Sequence, residues 1–66
     1  MAKITFDFID IDNDSYMEEN FKGTISQARK RAIQLAKIFK VKVVAEDSVT
    51  GYDMVYVDAN GNDLPL

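Results

Sequence analysis

Thr24-Ile25-Ser26-Gln27-Ala28-Arg29-Lys30-Arg31-Ala32-Ile33-Gln34-Leu35-Ala36-Lys37-Ile38-Phe39 is the stretch that decides how this 66-residue chain folds. Thr24 and Gln27 have the spacing of a capping box. The threonine hydroxyl accepts from the Gln27 backbone N–H, and the glutamine side chain reaches back to the Thr24 N–H. Gly23 stops whatever precedes it, so a helix is predicted from about Ile25 to Phe39. At roughly 100° per residue, Ile25, Ala28, Ala32, Leu35, Ala36 and Phe39 fall on one arc of roughly 100°. The three alanines in that arc let the helix lie close to the layer it covers. Lys37 and Lys40 sit in or just past the last turn, where cations complement the helix dipole.

The flanking segments read as strands. Residues 3–11 are rich in Ile, Phe and Thr. Ile4, Phe6 and Phe8 share one face and Ile9 and Ile11 the other, which predicts either a bulge near Phe8-Ile9 or a strand apolar on both sides. Asp12-Asn13-Asp14-Ser15 is a turn cluster. Tyr16–Lys22 is a candidate return strand, although Glu18-Glu19-Asn20 is poor β material. After the helix, residues 41–46 and 52–58 read as two further strands. Asn60-Gly61 signals a type I′ hairpin that folds Asn62-Asp63-Leu64 back, with Pro65 limiting further pairing. The predicted order is β(β)αββ. It describes a two-layer α+β domain with an antiparallel sheet of three to five strands, one helix on one face and the other face open.

The charge is segregated. The net charge is −3, yet residues 1–21 carry −5, residues 22–42 carry +7 with no acid, and residues 43–66 carry −5 with no base. The chain lacks Cys and His, which removes disulfides, Cys/His metal sites and imidazole chemistry. Such a chain suits a reducing cytoplasm. Its start reaches Asp7 after a few apolar residues, unlike a secretory leader, and no apolar run approaches the ~18 residues of a membrane span. A cytoplasmic protein with no membrane contact is expected.

Few residues point to catalysis. No Ser or Thr has a His partner, and three isolated glycines make no phosphate-cradling loop. Carboxylates are numerous, but one small helix over a sheet leaves little room for the apolar pocket a general acid needs. Asp10-Ile11-Asp12-Asn13-Asp14 resembles the start of a calcium loop, but Ser15 and Phe21 occupy the positions where Gly and a bidentate Glu belong. The expectation is a binding protein, not an enzyme, with no metal and no cofactor.

Three surfaces are candidates for that binding. On the helix, Lys30 and Lys37 lie roughly opposite the apolar arc, with Arg29, Arg31 and Lys40 beside it. This face either grips phosphates or an acidic groove, or offsets the acidic strands of its own fold. On the last long strand, Tyr52, Met54 and Tyr56 share one side and Val55 and Val57 the other. Either set faces the core; if the valines do, the Tyr-Met-Tyr set lies on the open sheet face, with side chains favoured at interfaces. The third is the acidic surface of Asp10, Asp12, Asp14, Glu18 and Glu19.

The stretch from Thr24 to Ala32, followed by two strands and an Asn-Gly turn, resembles small phage-encoded proteins. It is similar in particular to some type I anti-CRISPR proteins, in which a capped basic helix packs on an antiparallel sheet. The resemblance covers about residues 23–62, and the net acidity departs from the more basic members. It implies an inhibitor that docks on a protein or ribonucleoprotein complex such as a CRISPR effector and obstructs its access to nucleic acid. Either the basic helix docks, or the acidic strands imitate DNA. Direct nucleic-acid binding through the helix is the alternative, which the net charge disfavours. A structural module pairing edge strands, as a homodimer and not a monomer, is a further one.

Overall fold

The computed structural model describes residues 3–66. Strands β1 (Ile4–Asp10) and β2 (Ser15–Gly23) form a hairpin, helix α1 (Ile25–Phe39) follows, and strands β3 (Val43–Asp47) and β4 (Asp53–Val57) complete the chain. The sheet order is β2-β1-β3-β4, antiparallel throughout, with α1 on one face. This is the two-layer α+β arrangement expected.

The helix begins where its capping box places it. Thr24 Oγ1 accepts from the Gln27 N–H at 3.2 Å, and Gln27 Oε1 accepts from the Thr24 N–H at 2.9 Å. It ends with Lys40 in the left-handed region (φ 58, ψ 46), while the Lys40 and Val41 N–H groups both donate to the Ala36 carbonyl. Val41 then packs against the core. This is a Schellman-type stop with lysine where glycine is usual, at a cost of about 1 kcal/mol.

Ala28, Ala32, Leu35 and Ala36 are buried against Phe6, Phe8, Val43, Ala45, Val55 and Val57. Ile25 and Phe39, at the two ends of the helix, belong to the same arc but remain 38% and 60% exposed. Phe8 and Phe21 meet edge-to-face at 5.4 Å, a geometry aromatic quadrupoles favour.

β1 resolves its own ambiguity. Its register with β3 is unbroken from Phe6↔Asp47 to Asp10↔Val43, so β1 carries no extra residue and Ile9 lies on the face opposite Phe6 and Phe8. The irregularity lies in β2, which uses nine residues against seven in β1. One extra residue falls between Glu18 and Phe21, where Asn20 takes φ 61 and its N–H donates to Asp7 Oδ1 at 3.0 Å. The other falls between Tyr16 and Glu18. These bulges accommodate Glu18-Glu19-Asn20 within a strand and twist an edge away from foreign strands.

The C-terminal hairpin differs from a type I′ turn. Gly61 has φ +85, but Asn60 is not at positive φ, and the Gly61 N–H donates to the Asp58 carbonyl. The chain does fold back, through one Val57↔Asp63 bridge and the Leu64 N–H on the Tyr56 carbonyl. Asp58 Oδ1 accepts from the Asn60 and Asn62 N–H groups at 2.9 and 3.0 Å. The Asn62 N–H first, then the Asn60 N–H and the Asn62 side chain, hold this carboxyl below its ordinary value near 3.8. A carboxyl with a lowered folded-state value stabilises the fold at neutral pH, and the contribution disappears as acid protonates it. Asp58→Asn is therefore expected to melt below the parent at pH 7. The gap should close as pH falls below about 4; a gap constant from pH 7 to 3 in thermal melts would refute the linkage.

Candidate binding surface

The face of the sheet away from α1 carries an ordered pattern. Phe6, Phe8 and Asp10 point toward the helix layer, so Asp7 and Ile9 between them point away. Register puts Tyr16 opposite Ile9, Ile9 opposite Val44, and Val44 opposite Tyr56. One apolar row thus crosses all four strands, over about 14 Å at the usual strand spacing. Val44 is 4% exposed yet lies outside the main core cluster. Its direct cross-strand neighbours, Ile9 and Tyr56, shield it from the open side. Tyr16 stands 60% exposed at the β2 end of the row.

The next row toward the start of β1 is acidic. Asp7 pairs with Glu46, and Glu46 with Asp53. Like charges directly opposite one another across strands are destabilising. Among the described residues the one backbone N–H that donates to a side chain of this row is that of Asn20, on Asp7. Among the described residues no group of three or more His, Cys, Asp or Glu side chains is placed to hold a metal ion. The open face therefore combines a central apolar strip with a negative border.

The Tyr52-Met54-Tyr56 set is not held together. Val55 and Val57 are the core pair, and Tyr56 takes the opposite face in the apolar row. The shift in register between Ala45 and Glu46 makes Met54 the extra residue of a bulge, and it packs against the main core. Tyr52 precedes β4 in the loop and is 71% exposed, outside the row.

The basic helix is partly spent within the fold. Arg29 Nε lies 3.2 Å from Asp63 Oδ1, and Arg31 binds Glu18 through Nη2 at 2.7 Å and Nε at 2.9 Å. Such surface pairs contribute about 0–1 kcal/mol each, but they neutralise both arginines. Lys30, Lys37 and Lys40 make no ion pair among the described residues.

The expected acidic surface is also thinned. Asp10 is a correction: it is buried at 8% exposure, because it continues the inward alternation of Phe6 and Phe8. Its carboxylate accepts from the Asn13 backbone N–H and side-chain amide, closing the hairpin turn. Asp12 Oδ2 accepts from the Lys42 N–H, tying that turn to β3, and Glu18 is held by Arg31. Asp14 and Glu19 remain exposed.

Reading the sequence missed Tyr16, Ile9 and Val44 as a row, and Asp7, Glu46 and Asp53 as its border. The signal was the second apolar face of β1, Ile9 and Ile11. Which residues on three other strands line up with Ile9 depends on long-range pairing, and on β2 also on bulges, that no local pattern specifies.

The fold and surface define a class, a small two-layer α+β protein with a patterned open sheet. No family model, curated protein or solved structure matches the chain. Among the described residues no helix is long and apolar enough to cross a membrane.

Proposed function

We propose that this chain is a binding protein whose open sheet face docks on a nucleic-acid-handling protein or ribonucleoprotein complex and blocks its access to nucleic acid, as an anti-CRISPR-like inhibitor does. The observation that carries the reading is the Tyr16-Ile9-Val44-Tyr56 row with the Asp7-Glu46-Asp53 border beside it. Surfaces that hold nucleic acid combine basic residues for the backbone with aromatic or apolar platforms for bases. An apolar strip edged by carboxylates complements such a surface in both respects. The acids would match its lysines and arginines, and the tyrosines would anchor in its apolar platform.

The open face is a better docking surface than the basic helix because Arg29 and Arg31 already have partners. The test is affinity for a purified type I CRISPR effector, treated with nuclease, by titration calorimetry. Tyr16→Ala and Tyr56→Ala are each expected to weaken binding by about 30-fold or more, as hot-spot truncations do. Lys30→Glu combined with Lys37→Glu should leave affinity within about threefold. The opposite ranking, in folded variants, would move the interface to the helix. Undetectable binding by the parent chain would remove this partner class.

A further inference from the structure

Where the last turn of α1 passes the Asp58–Gly61 turn, the surface forms an open depression of about 460 Å³ lined by Lys37, Lys40, Ala59 and Asn60. We infer that this depression binds a phosphate group, either of a small phosphorylated ligand or of a nucleic-acid backbone.

Its side-chain donors suit an anion. Lys37 and Lys40 each bring an ammonium, and Asn60 brings a carboxamide with no partner among the described residues. The acids nearby have donors of their own, although Asp58 stays charged. Asp58 Oδ1 accepts the Asn60 and Asn62 N–H groups, and Asp63 pairs with Arg29. The Ala36 carbonyl takes the Lys40 and Val41 N–H groups, and the two ammonium groups must outweigh the negative end of the helix dipole for an anion to bind here.

Two features show that the lysines are placed. A Cβ built on Gly61 would lie 2.9 Å from both Lys37 Cε and Ile33 Cγ2, so the lysine stem lies along this turn. Lys40 holds a left-handed conformation that glycine adopts freely and lysine only at a cost. Strain kept at one residue, with its side chain on a depression, points to use of that side chain.

Lys40→Gly separates fold from ligand, because it removes the ammonium and relieves the backbone. The labelled chain would be titrated with inorganic phosphate against chloride at matched ionic strength, following amide shifts by NMR. Saturable shifts at Asn60, Gly61 and Lys40 with phosphate alone are expected in the parent. The Lys40→Gly variant should bind about tenfold more weakly while its Tm rises. A parallel arm uses a short single-stranded oligonucleotide. Tighter binding than inorganic phosphate, weakening steeply with salt, identifies a nucleic-acid source; equal or weaker binding identifies a small phosphorylated ligand. Shifts identical in chloride, or a Lys40→Gly variant that binds like the parent, would overturn the site.

Discussion

Replacing Ala32 by glutamate is expected to leave the chain without a cooperative fold. Ala32 is fully buried in the middle of α1, where the helix face lies against the sheet. A glutamate there must push the layers apart and bury a carboxylate with no partner. Either consequence costs several kcal/mol. A chain of this length has about 3–10 kcal/mol of stability in total, so the sum exceeds or exhausts it. The side chain cannot escape along its own stem as a residue near a helix end can. Lys30→Glu is the control, since Lys30 is exposed on the same helix and surface changes stay within about 0.5 kcal/mol. Circular dichroism and thermal melting decide the matter. A folded Ala32→Glu variant with a sharp melt would mean that helix and sheet are not in close contact.

The second large effect is at Phe8. It is fully buried on β1, between β2 and β3, and its ring meets Phe21 edge-on at 77° between planes. Phe8→Ala removes the transfer energy of an aromatic ring and leaves a cavity that a sheet strand cannot collapse into. The expected loss is about 3–5 kcal/mol by urea denaturation. That corresponds to a fall in Tm of roughly 15–30 °C for a domain of this size. Phe21→Ala should cost less, because Phe21 is only half-buried at the edge of the core. Equal losses at the two positions would show that β2 carries as much of the core as β1.

Both effects concern the layer between helix and sheet, and neither touches the open face. Variants at Tyr16 and Tyr56 therefore test docking in a chain whose core is intact. The cost accepted in placing Asp7, Glu46 and Asp53 across from one another supports a role for that face, since charges spread over the strand would have been less costly.

The amino-acid sequence determined α1 almost to the residue. Thr24 and Gln27 cap it through bonds between near neighbours, and the alanine spacing selects the buried side by helix geometry alone. While leaving open whether β1 was bulged or apolar on both sides, it also marked turns at residues 12–15 and at Asn60-Gly61. Local steric and hydrogen-bonding rules suffice for such features. Tertiary structure decided the rest. Val55 and Val57 rather than Tyr56 met the helix because β3 presents Val43 and Ala45 on that side, which a strand cannot announce from its own alternation. Asp10 went inward because it shares a side with Phe6 and Phe8, and Asn13 was near enough to satisfy it. Arg29 and Arg31 lost their freedom to Asp63 and Glu18, 34 and 13 residues away. Tyr16 joins the row at Ile9 only because two bulges in β2 set its register. Pairings of that range follow from the packing of whole elements, which short-range chemistry constrains but does not choose.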